Sequence, residues 1–167
     1  MQLKHRQIDW SIDRDCVLER HCRINYECDC PWKRDEMTYE VYRAEWFGLS
    51  GQIEGFTNAL LESMVDERTI AEIIESEQGE CIAYLWAPYC ADEESGFAFA
   101  DVQDIYIEEQ FRGAGIASQL MKYAEDKARL AGAKVIRSGT GCENTASQGM
   151  HAKMGYYQYR MEYEKLL

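Results

Sequence analysis

The sequence contains no run of about 18 apolar residues, so no membrane-spanning helix is expected. Its opening stretch, Met-Gln-Leu-Lys-His-Arg-Gln-Ile-Asp-Trp, lacks the apolar core of a secretion signal, which makes the cytoplasm the expected location. Basic residues are scarce: 18 Lys and Arg stand against 30 Asp and Glu, for a net charge of −12. Such a chain is a poor candidate for nonspecific nucleic-acid binding, which rests on many Lys/Arg–phosphate contacts. The same acidic field draws in a cationic partner such as an amine. A disulfide framework is also missing. The seven cysteines, at 16, 22, 28, 30, 81, 90 and 142, are odd in number and come without a secretion signal. His21-Cys22 with Cys28 and Cys30 do not make paired Cys-x-x-Cys knuckles, so no metal site is expected.

The composition present is that of one globular domain. The chain has 167 residues, 46% hydrophobic and 12% aromatic, enough for a sizeable core. One stretch organises the rest, Asp101-Val-Gln-Asp-Ile-Tyr-Ile-Glu-Glu-Gln-Phe-Arg-Gly-Ala-Gly-Ile-Ala-Ser-Gln-Leu-Met121. Val102 to Ile107 is rich in β-branched and aromatic residues, as strands are. Gly113 and Gly115 bracket a turn. Ala117, Leu120, Met121, Ala124, Ala128 and Ala131 then recur at helical spacing. Glycines at a helix start leave backbone N–H groups uncovered, and the helix dipole adds positive character, which together make an anion site.

Two phosphate-binding motifs do not fit. A P-loop requires Gly-Lys-Ser/Thr, whereas Gly115 is followed by Ile116-Ala117. A dinucleotide site requires a third glycine where Ser118 stands, and an acidic residue at the end of the next strand, Lys134 to Ser138, which has none. Gln110-Phe-Arg112-Gly113-Ala-Gly115-Ile-Ala117 instead resembles the Gln/Arg-x-x-Gly-x-Gly/Ala signature of the GNAT superfamily of N-acetyltransferases. A second segment, Asn144-Thr-Ala-Ser147-Gln-Gly-Met150-His151-Ala-Lys153-Met-Gly155-Tyr156, is similar to that family's Asn-x-x-Ala/Ser followed by Leu-Tyr-x-Lys-x-Gly-Phe. The resemblance covers the chain from Thr69 onward.

The resemblance implies an α/β GNAT acyl-CoA N-acyltransferase fold, a mixed central sheet flanked by helices, in a single domain over 1–167. Residues 1–68 would be helical and build the acceptor side; 69–167 would be the cofactor-binding core. It implies acetyl transfer from acetyl-coenzyme A to a primary amine of a small molecule or protein. The alternative is a non-catalytic sensor of the same fold that binds coenzyme A. Backbone groups of Ile105, Tyr106 and Ile107 would hold the acetyl and pantetheine portions. The loop Arg112, Gly113, Ala114, Gly115, Ile116 and Ala117 would hold the pyrophosphate, Asn144 the pantetheine arm, and Arg112, Lys122 and Lys153 would supply cations. The tyrosine that protonates the leaving thiolate in the family is His151 here, and an imidazole can donate that proton. For the base, Asp101 and Asp104 lie three apart on the strand and so face opposite ways, and Asp101, near the strand start, is preferred. Cys142 has no base paired with it and reads as structural. A homodimer is expected.

Along the chain, the pattern predicts an opening strand over Leu3 to Trp10 and a helix from Ser11-Ile-Asp13 through Ile24. Helices follow over Asp35 to Phe47 and Gln52 to Val65, separated by a turn at Gly48-Leu-Ser-Gly51. Thr69–Ser76 and Cys81–Ala87 read as a hairpin, and Pro88–Gly96 as an acidic loop. Phe97–Ile107 reads as one long central strand, with a helix over Gly115–Ala131 and a strand over Lys134–Thr140. A helix from Asn144 to Lys153 and a final strand over Tyr156–Lys165 complete the reading.

Overall fold

The computed structural model describes residues 3–29 and 31–165, with the side chains of residues 29 and 31 outside that description. Cys30, one of the cysteines weighed for metal, lies outside the described residues. Strands β1 (Lys4–Gln7), β2 (Ile70–Glu75), β3 (Cys81–Ala87) and β6 (Asp104–Ile107) form an antiparallel sheet in that order. Strands β4 (Tyr89–Ala91), β5 (Ala98–Val102) and β7 (Val135–Ser138) form a second sheet, with β5 antiparallel to β4 and parallel to β7.

The expected single central strand is two. It breaks at Gln103, whose N–H bonds to the carbonyl of Trp86 at 3.0 Å, and its halves pair in different sheets. The partner strand breaks at Pro88, which has no N–H to give a ladder. Residues on the far side of Pro88, expected as loop, make β4 instead. β5 runs in register with β7 from Phe99↔Val135 to Val102↔Ser138, and there the pairing stops. Among the described residues β6 therefore has β3 on one edge and no strand on the other.

Helix α1 (Trp10–Ile24) begins where Asp9 Oδ1 accepts the Ser11 N–H at 3.0 Å, an N-cap. It ends in a π-helical turn, Asn25–Asp29. The helix expected over Asp35–Phe47 is two, α2 (Pro31–Glu36) and α3 (Tyr39–Gly48), because the chain turns at Met37-Thr38. Helix α4 (Ser50–Ser63) follows after a single residue, Leu49, so the glycines at 48 and 51 sit inside helices rather than in a turn. Helix α5 (Ile116–Leu130) and helix α6 (Thr145–Lys153) follow β6 and β7.

The first sheet separates two apolar clusters. Val17, Leu18, Cys22, Trp46, Phe56 and Leu60 pack with Ile73, Tyr84 and Tyr106 on the α1, α3 and α4 side. Ile74, Ile82 and Leu85 pack with Leu120, Met121 and Ala124 of α5 on the other. The final strand expected over Tyr156–Lys165 does not form. A strand needs a neighbouring ladder for its N–H and C=O groups, and residues 156–165 have none. Tyr157, Tyr159, Met161 and Tyr163 are exposed there.

Candidate active site

The glycine turn sits at the head of α5. Gly113 and Gly115 have φ of +80° and +77°, a region that L side chains rarely adopt. A Cβ built on either would meet nothing within 4 Å, so the turn opens onto free space. Gly115 is the N-cap of α5 and supplies no capping side chain, which leaves the first-turn N–H groups available to a ligand. Ala114 and Ala117 add only methyl groups, while Ile116 turns inward to the α5-side core. Such a cradle suits an anionic group such as a phosphate.

The strand leading to the turn offers an edge. Glu108 N–H bonds to Ile82 C=O at 2.9 Å, which marks the hydrogen-bonded pairs of the β3–β6 ladder. The alternation of an antiparallel ladder then turns the N–H and C=O groups of Ile105 and Ile107 towards the open edge, and those of Tyr106 towards β3. Arg112 folds back along this edge, its Nε donating to the Ile107 carbonyl at 3.0 Å and a guanidinium nitrogen 3.6 Å from Glu27. The loop after β7 closes the far side. A Cβ on Gly141 would lie 2.5 Å from the Cys28 carbonyl oxygen, so this backbone approach admits only glycine. Asn144 caps α6, accepting the Ser147 N–H at 3.0 Å, while its Nδ2 points to the Cys28 sulfur at 3.8 Å. Lys153 is exposed at the end of α6. Lys122 pairs with Asp126 one turn along α5, away from the turn.

Among helices α1 to α4 lies a pocket of about 450 Å³. Tyr42, Glu45 and Trp46 of α3, Gln52 and Phe56 of α4, Lys33 of α2, and His21 and Asn25 at the end of α1 line it. The two candidate carboxylates part company here. Asp104 is 3% exposed; its Oδ2 bonds to His21 Nδ1 at 2.8 Å and accepts the Tyr84 hydroxyl at 3.0 Å. Burial first, then the neighbouring Asp104, pushes the Tyr84 phenol well up, so it stays a neutral donor. Asp101 sits on β5 in the other sheet and accepts from the side chain of Gln103 at 2.8 Å. Neither aspartate lines the pocket; Asp104 lies behind His21, which does.

His151 lies on α6. Its Nδ1 donates to the Ser147 carbonyl at 2.8 Å, and its Nε2 is buried with no hydrogen-bond partner. Its ring stands edge-on to Tyr156, with centroids 5.1 Å apart. Cys142 is an exposed free thiol.

A model of the acetyltransferase (GNAT) family matches residues 29–156. The chain belongs to that family. Members of the GNAT family use acetyl-coenzyme A as cosubstrate, and this chain carries the family's mixed α/β fold. A curated relative, the aminoalkylphosphonate N-acetyltransferase of Salmonella typhimurium, is 23% identical over 142 residues, covering 85% of this chain and 82% of that protein. Among solved structures, glucosamine-6-phosphate N-acetyltransferase from Arabidopsis thaliana aligns with TM-score 0.63 at 14% identity, over 99% of each chain. A transcriptional regulator from Bacillus halodurans aligns with TM-score 0.67 at 15% identity, over 99% of this chain and 100% of the other. Among the described residues no helix is long and apolar enough to cross a membrane.

Sequence reasoning weighed His21 only as a metal ligand beside Cys22. A signal for its real surroundings was present: His21 lies four residues after Val17, on the apolar face of α1. A histidine on a buried helical face needs a polar partner from the element it packs against, and that partner is Asp104.

Proposed function

We propose that this GNAT acetyltransferase moves the acetyl group of acetyl-coenzyme A onto the primary amine of a small molecule. The observation that carries this reading is a small-molecule-sized pocket whose wall includes His21, hydrogen-bonded to Asp104 of β6, the strand that leads into the glycine turn. Ligand sites for small molecules run from about 300 to 1,000 Å³, and 450 Å³ falls within that span. The reaction requires an amine in the pocket to meet a thioester laid along Ile105–Ile107. The acidic chain and Glu45 favour a cationic amine, and Lys33 offers a counter-charge for an acidic group on the same molecule. The acceptors named for two of the relatives each combine an amine with a phosphonate or phosphate, in keeping with that pair.

The roles follow the geometry. Arg112 to Ala117 receive the pyrophosphate on backbone N–H groups. The strand edge and Asn144 line the pantetheine path, and Lys153 adds positive charge. Of the two aspartates, Asp104 would act on the amine only through His21, which it holds by a hydrogen bond; Asp101 sits in the other sheet. His151, which stands in the motif where the family has a tyrosine, would give the departing thiolate its proton from its buried Nε2.

The test is thiol release from acetyl-coenzyme A over a panel of primary amines: aminoalkylphosphonates, amino sugar phosphates, aminoglycosides and polyamines. A Gly115→Asp protein serves as control. It should lose acetyl-coenzyme A binding in calorimetry, since the carboxylate fills the cradle, repels the pyrophosphate and strains a φ of +77°. Unchanged affinity in a folded Gly115→Asp protein would show that the pyrophosphate sits elsewhere. Tight cofactor binding with no thiol release from any amine would favour the non-catalytic sensor.

A further inference from the structure

The pocket contains a group whose arrangement is more than packing. His21 Nδ1 lies 2.8 Å from Asp104 Oδ2, and a buried carboxylate can only accept, so Nδ1 carries the proton. That leaves the lone pair on Nε2, which lies 3.2 Å from Asn25 Nδ2, an amide donor in the same pocket wall. The ring is stacked on Phe56, with centroids 3.8 Å apart and 20° between planes, and meets Trp46 edge-on. Four elements therefore fix the imidazole: α1 carries it, β6 and β3 set its tautomer through Asp104 and Tyr84, and α4 holds its plane. Its side chain is 18% exposed, and the exposed part faces the pocket.

We propose that His21 is the base of the transfer reaction and that Asp104 is its positioning residue. The inference rests on the acetyl-transfer reading. An acceptor ammonium displaces Asn25 from Nε2 and gives that atom one proton. The freed lone pair on nitrogen bonds to the thioester carbonyl carbon, and the carbon–sulfur bond breaks. The sulfur leaves with the bonding electrons and takes a proton from His151, and the second proton that the nitrogen sheds restores His151. One amide, one thiol and one imidazolium result, and the imidazolium returns its proton to solvent. Asp104 steadies that cation at 2.8 Å without taking the proton. The groups facing His21 are Asp104 and Tyr84 from the sheet, Lys33 of α2, and Tyr42 and Glu45 of α3. From α4 come the uncharged Gln52 and Phe56.

The experiment uses whichever panel amine the wild-type protein acetylates fastest. His21→Asn keeps an amide donor for Asp104, and His21→Gln keeps a polar atom near the place of Nε2; neither can accept a proton. At pH 7 each should lower kcat/KM for the amine by roughly 10²-fold or more, with acetyl-coenzyme A affinity within about 2-fold. The deficit should shrink as pH rises towards the amine's own pKa, because solvent then delivers neutral amine. A packing defect would cost the same at every pH. On the unmodified sequence, carbethoxylation with the modified histidine located by peptide mass gives an independent reading. Activity should fall in step with modification of His21, more slowly when the amine is present. Near-wild-type kcat/KM in a folded His21→Asn protein, a pH-independent deficit, or full activity with His21 modified would each overturn the assignment. If the wild type binds acetyl-coenzyme A but acetylates no amine, the transfer reading falls first and takes this one with it.

Discussion

At the scale of single residues, His151 and His21 make opposite demands on a proton. His151 has its Nδ1 committed to the Ser147 carbonyl, so the atom left to face a ligand is the buried, unpartnered Nε2. An imidazolium there would have an N–H with no acceptor, a state that a leaving thiolate relieves. His151→Ala is expected to lower kcat about 10²-fold with acetyl-coenzyme A affinity little changed, and His151→Tyr to recover part of it. Steady-state rates beside melting curves check this; normal turnover in folded His151→Ala would assign the proton to another donor. The motif around His151 could be read from sequence because its neighbours on the same helix, Asn144 to Lys153, are contiguous. His21 could not be read that way, because its partner Asp104 lies 83 residues away and no local pattern joins them. For the same reason the sequence did not show that Asp104, and not Asp101, lies against His21. Strand alternation separates the two faces but does not say which face a distant helix will cover.

At the scale of elements, the tie between α1 and the sheet is ionic at one end. Arg6 of β1 bonds to both oxygens of Asp13 on α1, at 2.7 and 3.0 Å, and to Glu75 of β2 at 3.0 Å. The bond from Arg6 holds the Asp13 carboxyl below its ordinary range against the opposing effect of burial. A carboxylate depressed on folding stabilises the fold above its unfolded pKa, about 3.9, and that stability is lost as pH falls through the folded value. Asp13→Asn is therefore expected to cost about 2 kcal/mol near neutrality and to flatten the decline in stability below about pH 4. Urea midpoints of both proteins from pH 7 to 3 give the comparison; equal slopes in acid would refute it. One turn further along α1, the Cys81 thiol bonds to Cys16, and with help from Arg20 this lowers the Cys16 thiol to about 7. Helix and strand identities were largely legible, since amphipathic spacing and turn glycines are local. The breaks at Gln103 and at Met37-Thr38 were not. Both are imposed by which neighbour a segment packs against, and the residues on either side favour continuing the element.

At the scale of the whole molecule, the C-terminal segment is the part left unexplained by a single copy. Tyr157, Tyr159, Met161 and Tyr163 are 81%, 56%, 64% and 88% exposed, and aromatic surface of this kind is enriched at interfaces. We propose a homodimer that covers this segment. Light scattering should give twice the 19.4 kDa chain mass, and a Tyr157→Glu, Tyr159→Glu, Tyr163→Glu protein should revert to monomer; a wild type at monomer mass in concentrated solution would dismiss the idea.

The break at Gln103 has a consequence for how this protein can change over generations. Beyond it, Asp104 and Tyr106 look towards α1, while Ile105 and Ile107 look towards α5. Alternation along a strand is strict, so losing or gaining one residue at position 103 would exchange the two sets. The carboxylate would be driven among Leu120 and Met121, and an isoleucine would stand before the imidazole of His21. Residue swaps can tune this stretch one side chain at a time, but any change in its length would trade the apolar face for the reactive one. The acidic loop beyond β4 carries no such constraint. Length variation in a lineage of such chains should therefore gather between Ala91 and Phe97 and be absent from the dozen residues that follow.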